Sequence, residues 1–333
     1  MKRRMKRIHI PGPYLIVIGL SVLLFLLVDV FGINNYSGEF LFLSPGNILN
    51  VINQAALYAI IGFGMTWVII IAGIDLSVGS LIALSGVLLS MFIVNFNLPI
   101  VVSIILVLAA GMIIGAIHGY LIERFAIPAF VVTLGGMVFY RGLALLIVDG
   151  EPIFNDNPAF LFIGSGTPLG IPFPIFILAV VFCLFHYILR YTQFGRFIYA
   201  VGGNEEATRL SGVNVYMTKI IIHAMCSTTA MISGIILASR LGSGQPLAGN
   251  TWELYVITSV IIGGTSLSGG IGTIPWTLAG AIIFGLINNG MNLLNIVPYY
   301  QWVIRGVVIL AAVTIKETSI KKTAHEHEAL VAA

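Results

Sequence analysis

Charge is what this chain has least of. Only 9% of its 333 residues are Asp, Glu, Lys or Arg, against roughly 25% in soluble globular domains. So little charge cannot solvate a water-exposed surface, and most of the chain must lie in a bilayer. Cysteine is also scarce. Cys183 and Cys226 are the only two, both inside apolar stretches, which excludes a disulfide framework or a cysteine-based metal centre and leaves them as small core residues. No GxxxxGK[ST] segment occurs, so the chain cannot hydrolyse a nucleotide by that route. Acids are missing from the middle of the well-defined spans: Asp29 and Asp149 fall near outer ends and Asp75 falls at a helix break. A proton- or sodium-driven carrier normally needs such a group at mid-membrane, so that mechanism is disfavoured. The formal charge of +3 does not indicate nucleic acid, because the basic residues cluster beside membrane spans. His325 and His327 have a metal-like spacing but no third ligand, and no metal site is expected.

What is present is a series of apolar windows near the length of about twenty residues that crosses a bilayer. They lie at 14–31, 51–72, 77–95, 99–122, 128–148, 172–189, 216–239, 252–264, 273–293 and 299–315. The fold class expected is an all-α polytopic membrane protein of about ten segments, with broken or re-entrant helices and two related halves. A single transmembrane domain fills 1–333: a basic N-terminus over 1–13, a membrane region over 14–315 and a tail over 316–333. The first window exceeds the h-region of a signal peptide and no small-residue cleavage site follows, so it reads as an uncleaved span.

The positive-inside rule orients the array. With the N-terminus in the cytoplasm, that side collects Lys2, Arg3, Arg4, Lys6, Arg7, Arg124, Arg190, Arg196, Arg209 and Lys219, and the tail adds Lys316, Lys321 and Lys322. The opposite side receives Arg240, and its longest loop, 149–171, carries Asp149, Glu151 and Asp156 without Lys or Arg. Both termini are therefore expected in the cytoplasm.

The longest charged loop, within 190–215, carries its own helix punctuation. Asn204 can cap an N-terminus, Glu205 and Glu206 suit the positive end of a helix dipole, Arg209 lies at the far end, and Gly212 offers the left-handed stop. A short helix presented to water in this way is either a plain solvated connector or a docking element. Two further segments resemble each other: VIIIAGIDLSVGS (68–80) and SVIIGGTSLSGGI (259–271). They place helix breaks at Gly73, Asp75, Ser77 and Gly79, and at Gly264, Ser268 and Gly270, as repeats lining a transport path do.

Polar residues inside the spans have two readings. Arg141 and Arg305 either line a path or are structural, and for Arg141 an ion pair with Asp149 is favoured. Asn288, Asn292 and Asn295 recur at i, i+4 and i+7, with Asn289 beside them; they either offer hydrogen bonds to a passing solute or tie helices together. Asn53 and Gln54 carry the same alternatives. His118, His186 and His223 stand alone in apolar segments and are expected to be packed or interfacial.

Taken in order, GMTWVIIIAGIDLSVGS (64–80), IPAFVVTLGGMVFYRG (127–142), GRFIYAVGGNEEATRLSGVN (195–214), VIIGGTSLSGGIGT (260–273) and GLINNGMNLLNIVPYYQ (285–301) resemble the membrane-spanning permease subunits of bacterial ABC importers for monosaccharides, of the ribose permease type. The resemblance runs nearly end to end. It implies that the capped loop is the segment docking into a separate ATP-hydrolysing subunit, with Gly195, Arg196, Ala200, Gly203, Asn204, Glu205, Glu206, Ala207, Arg209, Gly212 and Asn214 as its members; Thr208 stands where other members have Ala. It implies no enzyme activity and no cofactor in this chain, ATP and Mg being held by the partner. It implies a periplasmic or lipid-anchored sugar-binding protein, a second permease copy or related chain, surrounding lipid, and no nucleic acid. A permease for branched-chain amino acids or another small polar solute is the alternative, and a secondary carrier a more distant one.

Overall fold

The computed structural model describes residues 12–30, 40–311 and 314. The basic N-terminal cluster and the tail bearing Lys316, Lys321, Lys322, His325 and His327 lie outside the described residues. Helices dominate. The first is α1 (Gly12–Phe25), continued by a π-helical turn (Leu26–Val30); α2 (Pro45–Ile70), α3 (Val78–Val94), α4 (Ile100–Phe125) and α5 (Ala129–Ile147) follow. After the short strand β1 (Ile153–Phe154) come α6 (Pro158–Ser165), α7 (Phe173–Tyr191), α8 (Gln193–Gly203), α9 (Glu205–Leu210) and α10 (Val215–Leu241). Strand β2 (Ser243–Gly244), α11 (Trp252–Ile262) and α12 (Ile274–Leu293) lead to a last helix, α13, over 298–311.

In their described parts the ten apolar windows fall on helices, and among the described residues six helices are long and apolar enough to cross a membrane: α2, α4, α5, α7, α10 and α12. The described part of the first window, α3 and α11 are apolar but shorter. Burial sorts the long helices into two shells. The most apolar windows of α2, α10 and α12 are 67%, 67% and 72% buried, whereas those of α4, α5 and α7 are 22%, 22% and 28% buried. The inner helices therefore make the core, and the outer ones keep one apolar face for surroundings other than water.

Hydroxyls and small residues hold the core together where hydrophobic burial between helices drives little. The Thr66 and Thr277 hydroxyls meet at 2.6 Å and join α2 to α12. The Ser233 hydroxyl donates to the Leu57 carbonyl, and that of Ser85 to the Met231 carbonyl. Gly111, Gly115 and Gly119 repeat every fourth residue on α4 and lie against α10; a Cβ on Gly115 would run into the His223 carbonyl.

Two ends of the bundle are well defined. Strands β1 and β2 pair antiparallel, Ile153 opposite Gly244, which ties the 149–157 loop to the C-terminal end of α10. Helices α8 and α9 lead into its N-terminal end. Because α10 has 27 residues, these ends stand about 40 Å apart at 1.5 Å per residue, the thickness of a bilayer with its headgroups.

Both expected helix breaks are present. Residues 71–77 separate α2 from α3, and 263–273 separate α11 from α12. Gly73, Asp75 and Ser77 lie in the first, and Gly264, Ser268 and Gly270 in the second. Gly264 and Gly270 have φ of 98° and 74°, a region that favours glycine. Gly79 departs from its expected place. It is inside α3, where its Cα packs against the Glu253 carboxylate and the Gly249 carbonyl; close approach rather than a break explains the glycine there.

Candidate functional site

The polar segment between α7 and α10 is two short helices rather than one. The Thr192 hydroxyl accepts from Gly195 N–H and starts α8, so Gly195 and Arg196 form its first turns and Ala200 its later part. Asn204 stops α8 through its own N–H, which donates to the Ala200 carbonyl, and starts α9 by accepting from Ala207 N–H at 2.9 Å. Glu205 and Glu206 lie in the first turn of α9 and Arg209 in its last. Gly212 follows with φ of 84°, and the Asn214 side chain caps α10 by accepting from Met217 N–H. Each punctuation mark read from the sequence is at its place.

Side chains that are distant in sequence clamp α9 onto the bundle. The Glu123 carboxylate, near the end of α4, accepts from Arg209 at 2.6 Å and from Lys219 at 2.8 Å. Glu205 accepts from the same two cations, at 2.9 Å and 2.8 Å. The Glu123 and Glu205 carboxylates hold the Arg209 guanidinium above its usual pKa. Thr208 is buried under α9 and donates to the Asn204 carbonyl. The opposite face is open: Gly203, Glu206, Ala207 and Leu210 are exposed, Leu210 at 84%. A large apolar side chain is thus held out on a short, capped helix.

The neighbouring helix α8 touches both breaks. Gly202 lies so close to the Ile70 carbonyl and Gly270 that no Cβ would fit. Gly270 N–H donates to the Ile70 carbonyl at 2.8 Å, and the Tyr199 hydroxyl donates to the Gly272 carbonyl at 2.6 Å. Burial raises the Tyr199 pKa. A rigid displacement of α8 would therefore reach the end of α2 and the loop before α12 together.

Between α9 and the first break lies a cavity of 530 Å³, lined among others by Gly73, Glu123, Arg209, Lys219 and His223. Behind it Asp75 is completely buried. Its Oδ1 accepts from Ser77 N–H at 2.9 Å and from the Ser77 hydroxyl at 2.6 Å, and so fixes the start of α3. His118 and His223 are buried too, as expected, but they do not stand alone. His118 Nε2 bonds the Tyr140 hydroxyl at 3.0 Å, and His223 Nδ1 faces Asp75 Oδ2 at 3.9 Å.

Of the two membrane arginines, Arg141 is bound differently from expectation. Arg141 makes no ion pair with Asp149. Its guanidinium donates to the carbonyls of Pro246 and Ala248, both at 2.8 Å, and of Gly79 at 3.2 Å. The sequence spacing of eight residues suggested one helical face, but α5 ends at Ile147 and Asp149 turns away at φ of 49°. Arg141 thus fastens the loop between α10 and α11 onto α3. Arg305 donates to Asn288 Oδ1 and Gln301 Oε1, each at 3.0 Å, and its guanidinium lies 5.3 Å from the Tyr255 ring centre.

The asparagine row is also broken. Asn288 is buried beside Arg305; Asn289 exchanges hydrogen bonds with Asn47. Asn292 is exposed and accepts from Gln301 at 3.2 Å. Asn295 lies past the end of α12 at φ of 51°. The helix stops at Leu293, so i+7 leaves the shared face. Asn53 and Gln54 are half-buried on α2. Both cysteines are free thiols; Cys226 is buried as expected, whereas Cys183, expected in the core, is exposed on α7, and among the described residues no cluster of three or more His, Cys, Asp or Glu could hold a metal.

Comparison with known proteins gives a consistent picture. Residues 47–313 match the family described as branched-chain amino acid transport system / permease component. The chain is 47% identical to the ribose import permease of Haemophilus influenzae over 82% of its own length and 85% of the relative's. It is 43% identical to the ribose import permease of Bacillus subtilis over 94% and 96%. Similarity extends to the xylose transport system permease of Haemophilus influenzae at 33% identity, over 84% and 91%. No solved structure matches the chain.

Proposed function

The chain belongs to the permease-component family matched over residues 47–313, and from that membership we propose that it is the membrane-spanning subunit of an ATP-driven importer for a monosaccharide. Relatives named for ribose and xylose favour a sugar over the branched-chain amino acids of the family's description. It is a transport subunit, with no covalent chemistry of its own.

In this reading the six long helices, the shorter α1, α3 and α11, and α13 make ten crossings built as two related halves, and the whole chain is one permease domain. The lysine and arginine asymmetry places both termini and the α8–α9 pair in the cytoplasm, and the 149–171 loop outside. The exposed, clamped helix α9 carries the proposal. A chain without a phosphate loop needs energy from elsewhere, and α9 is a rigid handle next to a helix, α8, that touches both breaks. An ATPase subunit, holding ATP and Mg, docks on Gly203, Glu206 and Leu210. Its closure displaces α8 and α9 and re-aims the helices that meet at the breaks. A periplasmic or lipid-anchored binding protein delivers sugar to the other face, and a second permease copy or a related chain completes the path. The apolar faces of α4 and α5 suit that chain or lipid. Arg305 and Asn288, with Tyr255, are the polar group best placed to meet sugar hydroxyls; Arg141 holds the outer loop instead.

Reconstitution tests this. Vesicles holding the permease and its ATPase, given binding protein outside and ATP inside, should accumulate a labelled monosaccharide that the binding protein retains in calorimetry against a sugar panel. Accumulation of leucine but of no sugar would assign the amino acid reading. Uptake that continues without ATP would assign a carrier.

A further inference from the structure

One buried pair has no role in the docking argument and is unsatisfied in the conformation observed. Asp75 Oδ2 has no hydrogen-bond partner, nor has either ring nitrogen of His223. They are 0% and 1% exposed, and buried polar groups in native proteins are nearly always partnered. His223 Nδ1 lies 3.9 Å from Asp75 Oδ2. Hydrogen bonds of this kind close at about 2.9 Å, so a shift of about 1 Å would make one. The pair is therefore poised one small movement short of contact.

Both residues are attached to elements that matter. His223 is four residues after Lys219 on α10, one turn along the same face, and Lys219 is the residue gripped by Glu205 of α9 and Glu123 of α4. Asp75 holds the first turn of α3 through Ser77. The Thr133 hydroxyl of α5 bridges the same break, accepting from Leu76 N–H and donating towards the Ile74 carbonyl. Of the buried groups nearby, His118 bonds Tyr140 through Nε2 and its Nδ1 has no partner, but it is His223 that lies on the helix carrying Lys219. A displacement of α9 thus has a continuous route through Lys219 and His223 to Asp75 and the start of α3.

We propose that Asp75 and His223 form a latch, open in this conformation and closed by His223 Nδ1–H donating to Asp75 Oδ2 in the conformation trapped by ATP, which makes His223 a positioning residue for α3. This rests on the reading of α9 as the docking element. No proton leaves either residue; the bond forms because α10 advances towards the break, and it gives Asp75 Oδ2 and His223 Nδ1 a partner each.

The test uses the full complex with its ATPase, resting and trapped with ATP and vanadate. Amide exchange over 77–81 should change by about fivefold or more on trapping in the unmutated complex and in His223→Gln, whose amide can still donate, but by less than about twofold in His223→Leu. An unchanged response in His223→Leu, or no response in the unmutated complex, would overturn the latch. Should His223→Leu fail to assemble, infrared difference spectra of the unmutated complex decide. An aspartate carboxylate band should shift on trapping and vanish in Asp75→Asn, and its absence refutes the proposal. Loss of the docking reading would be seen separately, as undiminished ATPase co-purification in Leu210→Asp.

Discussion

Replacing Glu123 by Gln should free α9 from the bundle while leaving its helix caps untouched. Glu123 is the buried centre of the clamp: its side chain is 8% exposed and accepts from Arg209 and Lys219. Gln offers one oxygen in place of two and no charge, so at least one charged hydrogen bond is lost. Such bonds contribute about 1.5–3 kcal/mol each. Arg209 is 56% exposed, so its share falls at the low end through solvent screening; Lys219, at 13%, retains more. A loss of about 2 kcal/mol corresponds to about thirtyfold in the opening equilibrium of the segment. Amide exchange over 204–212, measured by mass spectrometry on the purified permease, should rise by about that factor. Glu206→Gln is the control. Within the isolated permease Glu206 is exposed and supports the helix dipole, an effect of about 0.3–1 kcal/mol. If Glu123→Gln leaves exchange over 204–212 within about threefold of wild type, the clamp does not hold α9 and the rigid-handle argument fails.

Other outcomes follow from the contacts. Arg141→Gln and Asp149→Asn should be additive in thermal stability within about 0.5 kcal/mol, because no bond joins them; a larger coupling would restore the ion pair. Gly115→Leu should abolish folded protein in size-exclusion and melting assays, since the α10 backbone occupies the space, whereas Gly135→Ala, with open space around it, should shift stability by less than about 0.5 kcal/mol. Single cysteines at Asp156 and Gly203 should react with an impermeant thiol reagent from opposite sides of the membrane, Gly203 from the cytoplasm. Reaction from one side would contradict both the topology and the separation along α10.

The caps of α8, α9 and α10 were legible because they are local: Asn204, Gly212 and Asn214 act on residues within four positions, and each is where spacing puts it. The two breaks were legible for the same reason. The clamp was not, because Glu123 meets Arg209 across 86 residues and nothing near Glu123 announces it. Arg141 misled because the sequence shows a nearby acid but not three backbone carbonyls, and a guanidinium accepts either. The asparagine row failed on a boundary: periodicity continues through a helix end that only the turn at Asn295 reveals. Asp75 was read as a residue at a break, correctly, while its burial and its neighbour His223 depend on α10 lying across the break through the small residues of α4. For Leu210, nothing in the sequence marks the 84% exposure that the structure gives it.

The central claim is that the α8–α9 segment receives energy from a separate ATPase. It is tested most directly by purifying the assembled complex carrying Gly203→Pro or Leu210→Asp. Both positions are exposed, and a side chain at Gly203 would meet open space, so insertion and folding should persist; proline restricts the backbone just before the cap, and aspartate removes the apolar contact. ATPase co-purification and binding-protein-stimulated hydrolysis should both fall by about tenfold. If both stay at wild-type levels while sugar uptake is lost, the segment is not the coupling element and the account is wrong.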